Sequence, residues 1–357
     1  MRMVTMDFIT PFETSFGRQK QRNALIFRLE KDGITSYSEC VTDTDPFYSY
    51  EDNETSAHIV KTYLAERMKS VPEPEEFTAS VSFVKGHNMA KAAMEMLLWD
   101  YHARSSKVPL HEYLGKSRGY AEVGLSIGMD TVDKVKERAV NAKREGYRRV
   151  KIKIKRGREM ELVSSVREAI GDFPLSVDAN TDYRIGDIEK LKGLDKYNLV
   201  YIEQPFEHND LLDHARLASE IKTPVCLDES ITSSEDARKA ISMKAGSVIN
   251  IKPGRVGGLG ESIKIADLCR RNGCHVWVGG MLETGVGRGY NVSMASNSLV
   301  DLPGDTSPNS HYYTRDIVKN PFTMKDGRIV PNSGPGTGIE IDMDALRSVT
   351  KWKLDLL

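Results

Sequence analysis

From residue 119 onward, short runs rich in β-branched and aromatic residues alternate with longer runs whose apolar positions recur at helical spacing. The short runs are VGLSIGM, RRVKIKIK, LSVDAN, LVYIEQP, PVCLDES, VINIKPG and HVWVGGM, with LVDLPGD a weaker eighth. The stretches between them, such as TVDKVKERAVNAKREGY and REMELVSSVREAIG, predict helices with glycine near their C-terminal ends. Strand and helix in regular alternation predict parallel strands, and eight strands invite closure into a barrel. The first 118 residues read differently. Three strand-like stretches (MDFITPF, NALIFRLE, GITSYSECV) precede the helical runs SAHIVKTYLAERMKS and NMAKAAMEMLLWDYHARSS, which predicts a separate α+β unit. After residue 318 the segment PFTMKDGRIVPNSGPGTGIEIDMDAL carries strand and turn signals but no further βα repeat. The expected organisation is an α+β domain over 1–118, an α/β barrel over 119–318, and a segment over 319–357 that returns to the first domain.

Composition narrows the partners. The 357 residues are 39% hydrophobic and 28% charged, with 50 basic against 51 acidic side chains. So even a balance gives no global field to favour nucleic acid or a membrane surface, and a small molecule is the expected partner. No run approaches the roughly 18 apolar residues of a membrane span, and the opening MRMVTMDFITPF has no apolar signal-peptide core, so a cytoplasmic protein is expected. The cysteines, Cys40, Cys226, Cys269 and Cys274, are scattered; the pair in CRRNGC lacks a second pair to complete a zinc set. The His residues show no ligand spacing, and the tryptophans read as core or interface residues.

The polar residues inside the strands carry the chemistry. Lys153, Asp178, Glu203 and Asp228 follow one another at intervals of 25 residues, and Lys252 lies 24 beyond Asp228. A TIM barrel of ~250 residues spends about that length on each βα unit, so every strand delivers one charged group to the same level, at the C-terminal face where barrel active sites lie. Three carboxylates in one barrel mouth repel unless a cation holds them. Oxygen ligands alone favour a hard ion, Mg²⁺ first and Mn²⁺ second. The bland alternative is three carboxylates capping helix N-termini, which explains each singly but not three in register with two lysines. Lys151 shares a strand face with Lys153 and, together with a metal, is expected to lower its proton affinity; Arg255 is positioned in sequence to act likewise on Lys252. Lys155 reads as a solvated residue beyond the rim. A cation beside a substrate carboxylate stabilises the charge that forms when the neighbouring carbon loses its proton. The constellation therefore points to proton abstraction α to a carboxylate.

VKIK (150–153), VDAN (177–180), YIEQP (201–205), CLDES (226–230), NIKPGRVGG (250–258) and GGMLETGVGR (279–288) together resemble the enolase superfamily, muconate-lactonizing subgroup. Within it the chain is most similar to the o-succinylbenzoate synthase and N-succinylamino acid racemase family. PFETSFG near the start, PLHEYLG (109–115) and the PFTMKDGRI and GTGIEID segments extend the likeness over nearly the whole chain. The resemblance implies an α+β capping domain over a modified (β/α)₇β barrel and a homo-oligomer. It casts Asp178, Glu203 and Asp228 as ligands of Mg²⁺, or Mn²⁺ in its place. Lys153 becomes the general base, Lys252 the opposing acid/base or enolate-stabilising cation, and Lys151 the companion lysine. Asn180 and Glu229 are implied as supporting residues, although a regular strand would turn Glu229 away from Asp228. Ser15 and Phe16 fall in a loop that closes over the site in family members, where an ordinary hairpin turn is the alternative. Gly280, Met281 and Glu283 are implied to line the pocket.

Two activities remain open at this point. Dehydration of 2-succinyl-6-hydroxy-2,4-cyclohexadiene-1-carboxylate to o-succinylbenzoate, a step towards menaquinone, needs one face of the substrate. Racemisation of an N-acylamino acid needs both lysines. Dipeptide epimerases carry an Asp-x-Asp where this chain has GGMLETG, and mandelate-racemase-like members use a His base where it has Lys252. Muconate cycloisomerisation and a non-catalytic binding barrel are the remaining alternatives. GRVGGLG (254–260) lacks the acidic ribose partner of a dinucleotide site.

Overall fold

The computed structural model describes residues 1–14 and 17–357. The chain opens with three antiparallel strands, β1 (Arg2–Thr14), β2 (Gly17–Lys31) and β3 (Ile34–Cys40). A helical layer follows, dominated by the helix Asn88–Ser105, and packs on this sheet through Leu25, Phe27, Leu64, Phe77, Met94 and Leu98. A two-residue strand, β4 (Ala121–Glu122), then leads into seven parallel strands: β5 (Gly124–Ile127), β6 (Arg149–Lys153), β7 (Leu175–Asp178), β8 (Ile202–Glu203), β9 (Val225–Leu227), β10 (Val248–Ile251) and β11 (His275–Val278). Each expected barrel run from VGLSIGM to HVWVGGM contains one of them.

Alternation sorts the side chains of these strands. In β6, Val150 and Ile152 join the apolar layer beneath the outer helices, while Arg149, Lys151 and Lys153 take the other face. The helices answer with one apolar stripe each: Val135, Ala139 and Ala142 on Val132–Arg144, and Val163, Val166 and Ile170 on Glu159–Ile170. Inside the barrel, Tyr201, Cys226, Val248 and Trp277 form a floor below the charged level.

The weak run LVDLPGD forms no regular strand but closes the ring. Asp301 and Leu302 N donate to Val276 O, and Asp305 N donates to Val278 O of β11. On the other side Gly304 N donates to Glu122 O, and Gly124 N donates to Gly304 O. The C-terminal segment visits both parts of the molecule. Strands β12 (Met324–Lys325) and β13 (Arg328–Ile329) add to β4, whereas β14 (Thr350–Lys353) pairs with β1 at the edge of the first sheet. Two buried glutamates fasten the first domain to the barrel by capping barrel helices. Glu39 accepts from Thr284 N and Gly287 N, and Glu95 accepts from Leu259 N and Gly260 N. Among the described residues no helix is long and apolar enough to cross a membrane.

Candidate active site

Parallel register brings the charged residues to one level. Lys153 of β6 lies opposite Asp178 of β7, and Asp178 opposite Glu203 of β8. β9 ends at Leu227 and β10 at Ile251, so Asp228 and Lys252 stand on the turns just beyond. Two of the three carboxylates then meet a pair of cations. Asp178 accepts a hydrogen bond from Lys153 Nζ at 2.7 Å and has Lys151 Nζ at 3.4 Å. Asp228 accepts from Lys252 Nζ at 2.7 Å and from Arg255. Glu203, on the strand between them, faces Lys151 Nζ at 2.7 Å and accepts from Asn250 Nδ2 at 2.8 Å. Above them opens a cavity of about 230 Å³, lined by Lys151, Lys153, Asp178, Asn180 and Lys252 from the barrel and by Tyr48 from the first domain.

Burial and pairing compete at every group. Burial opposes charge on Lys151, but Asp305, Glu203 and Asp178 outweigh it and hold its proton affinity above the ordinary lysine range. For Lys252, burial again opposes charge while Tyr48, Glu229 and Glu203 raise its pKa overall. Lys252 is thus raised, where a lowering by Arg255 was expected, and the Arg255 guanidinium is itself paired with Asp228. Burial pushes Asp178 up, but Lys153 and Lys151 prevail and hold it well below the carboxylate range. Glu203 is raised, by burial and then by Asp178.

Among the described residues no three His, Cys, Asp or Glu side chains form a ready-made metal shell. Ammonium nitrogens lie between the carboxylates instead, Lys151 Nζ touching both Asp178 and Glu203. A buried, hard-oxygen set that already gathers cations fits a hard divalent ion once the ammonium groups give way.

The supporting residues sort differently. Asn180, at φ +40°, accepts from Lys153 Nζ at 2.5 Å and donates to Glu229 Oε1 at 3.3 Å. Glu229 therefore faces the site: the regular strand has ended at Leu227, so the alternation that would have turned it away no longer applies. Burial above all pushes its carboxyl up to about 7. Gly280 and Met281 line the cavity. A side chain at Gly280 would stand 2.7 Å from the Asp305 carbonyl oxygen, which explains the glycine. Glu283 accepts from Met281 N and Asn291 Nδ2 and pairs with Arg288 at 3.2 Å, so it shapes the turn after β11. Lys155 is exposed. Ser15 and Phe16 lie outside the described residues.

Three participants escaped the sequence. Tyr48 reaches from the first domain, its hydroxyl 2.9 Å from Lys252 Nζ and 3.1 Å from the nearer Arg255 terminal nitrogen. Arg149, two residues before Lys151 on the same strand face, stacks 4.8 Å above the Trp277 ring. Asp305 pairs with both Arg149 and Lys151. Period-two spacing signals Arg149, and Asp305 lies 53 residues after Lys252, about two further βα units.

A model of the mandelate racemase / muconate lactonizing enzyme N-terminal domain matches residues 2–115, and one of the enolase C-terminal domain-like family matches 134–345. The chain belongs to the enolase superfamily. Its place within the superfamily follows from full-length relatives. An o-succinylbenzoate synthase of Geobacillus kaustophilus is 42% identical over 99% of this chain and 95% of its own length. An N-succinylamino acid racemase of Amycolatopsis sp is 41% identical over 99% of this chain and 97% of its own. Both names belong to one family, the o-succinylbenzoate synthase / N-succinylamino acid racemase family, and this superfamily member is part of it. The solved structure of an enolase superfamily member from Listeria innocua superposes with a TM-score of 0.95 at 35% identity, covering 98% of this chain and 96% of that one. A muconate lactonizing enzyme from Pseudomonas fluorescens shares the fold at a TM-score of 0.91 and 22% identity, covering 98% of this chain and 97% of that one.

Proposed function

We propose that the protein is an o-succinylbenzoate synthase, catalysing the metal-dependent syn-dehydration of 2-succinyl-6-hydroxy-2,4-cyclohexadiene-1-carboxylate on the way to menaquinone. The observation that carries this reading is the pairing of Lys153 with Asp178 and of Lys252 with Asp228 around one buried carboxylate, Glu203. Asp178, Glu203 and Asp228 are the residues that would hold Mg²⁺ or Mn²⁺; bound there, the ion supplies positive charge that favours the enolate of a substrate carboxylate. Lys153 Nζ takes the proton from the carbon α to that carboxylate. The electron pair of the broken C–H bond forms the ring double bond, the C–O bond to the hydroxyl breaks on the same face, and the Lys153 ammonium returns its proton so that water leaves. Lys252, on the other side, contributes positive charge, and Asn180 orients Lys153 through the 2.5 Å hydrogen bond.

A second activity, racemisation of N-succinylamino acids, is favoured by Lys252 itself. Dehydration needs only its charge, but its ammonium sits at the cavity wall where it can also carry a proton to the opposite face. The test of the main reading is Lys153→Ala. This variant is expected to fold and to bind Mg²⁺ while losing o-succinylbenzoate formation; retained turnover removes Lys153 as the base.

A further inference from the structure

We propose that Asp305 is a positioning residue that holds Lys151 aside when a divalent cation takes Asp178 and Glu203; this rests on the metal assignment made above. Lys151 Nζ lies 2.7 Å from Glu203, 2.8 Å from Asp305 and 3.4 Å from Asp178. Two of these three carboxylates are the proposed metal ligands. With those two alone, Lys151 would be a resident competitor for the ion, because an ammonium and a divalent cation cannot share the same oxygens without strong repulsion. Swinging away is no escape, since its side chain is only 4% exposed and its nitrogen lies 4.6 Å above the Trp277 ring. The charge needs a counter-ion on the side away from the metal, and Asp305 is placed there. It belongs to the segment that closes the ring between β11 and β4, whereas Asp178 and Glu203 lie on the other side of β6.

Asp305 is fixed for that task. Its amide donates to Val278 O at 2.9 Å, its carbonyl accepts from the Arg288 guanidinium at 2.9 Å, and Gly280 leaves the room that this approach requires. One carboxylate oxygen is taken by Arg149, which leaves the other facing Lys151. Burial opposes its charge, but Lys151 and Arg149 keep the carboxyl below its ordinary range. Arg149 is held in turn over Trp277 and against the Tyr201 hydroxyl. The floor of the barrel thus anchors the counter-ion, and the counter-ion anchors the lysine.

The test is a double-mutant cycle read by Mn²⁺ affinity, measured by electron paramagnetic resonance and calorimetry on the full chain without substrate. Asp305→Asn is expected to weaken Mn²⁺ binding about ten-fold more when Lys151 is present than in the Lys151→Met background. Equal losses in the two backgrounds overturn the proposal alone. A wild-type chain that takes up no Mn²⁺ overturns it together with the metal assignment. If circular dichroism shows Asp305→Asn unfolded, Lys151→Met alone decides. Binding at least as tight as wild type supports the competition, and a loss of about ten-fold contradicts it.

Discussion

Replacing each lysine by methionine should separate the two faces of the site. Lys153→Met leaves Asp178 with Lys151 at 3.4 Å, and Lys252→Met leaves Asp228 with Arg255. Neither change strands a buried carboxylate, so both variants are expected to fold. On the remaining face the loss is electrostatic. A unit charge at 4 Å contributes about 4 kcal/mol at an effective dielectric of about 20, or roughly a thousand-fold in rate, and this is an upper bound because the Mg²⁺ that Asp178 and Asp228 would hold, and Arg255 beside Asp228, keep positive charge at the site. On the face that loses its base, a further factor of about 10² to 10⁴ disappears. The assay is α-proton exchange of each enantiomer of an N-succinylamino acid in D₂O, followed by ¹H NMR with Mg²⁺ present. One variant should retain measurable exchange with one enantiomer only, and the other variant with its mirror image only. If both variants retain the same enantiomer, or either exchanges both as the wild type does, the two-faced arrangement is refuted.

Other consequences follow from the same contacts. Arg255, 4% exposed, donates to Ile231 O, Asn250 O and Asp228 and approaches the Tyr48 hydroxyl. Arg255→Met should therefore destabilise the fold by about 3–5 kcal/mol, visible as a lower urea midpoint; an unchanged midpoint contradicts the assignment. Glu39 and Glu95 are pushed up from 4.5 to about 7, in each case by burial first. A raised carboxyl favours the folded state while it is protonated. That contribution is complete below pH 4.5 and is lost as the pH rises to about 7. Unfolding free energy should fall over this window, and Glu95→Gln should flatten the fall in urea titrations; an unaltered slope argues against the linkage. Gly280→Ala, whose new methyl would meet the Asp305 carbonyl at 2.7 Å, should lower kcat/KM without loss of secondary structure, and full activity would show that the turn relaxes freely.

The barrel cadence and the charged residues it carries were both legible in the sequence. Lys153, Asp178, Glu203, Asp228 and Lys252 stood out because a barrel repeats one βα length, so groups at one level recur at one interval. Asp305 was hidden because its segment closes the ring by bridging hydrogen bonds without the alternation of a strand. Glu229 was only half legible for a related reason: the resemblance named it, while alternation, which would have turned it away, holds only while the strand lasts, and β9 stops at Leu227. Tyr48 comes from a turn of the first domain some 200 residues from Lys252, a long-range contact that local pattern does not encode. Proton affinities were the least legible. Arg255 stands three residues from Lys252 in sequence, but its guanidinium pairs with Asp228, a side-chain direction that sequence distance does not encode.

Metal-dependent turnover by the purified wild-type protein, the conversion of the cyclohexadiene carboxylate to o-succinylbenzoate, is the decisive assay. It is followed by absorbance with Mg²⁺ and again after chelation. Rapid conversion is expected, abolished by chelation and restored by added Mg²⁺. No conversion by folded, Mg²⁺-loaded protein, or conversion that persists after chelation, would contradict the proposed function.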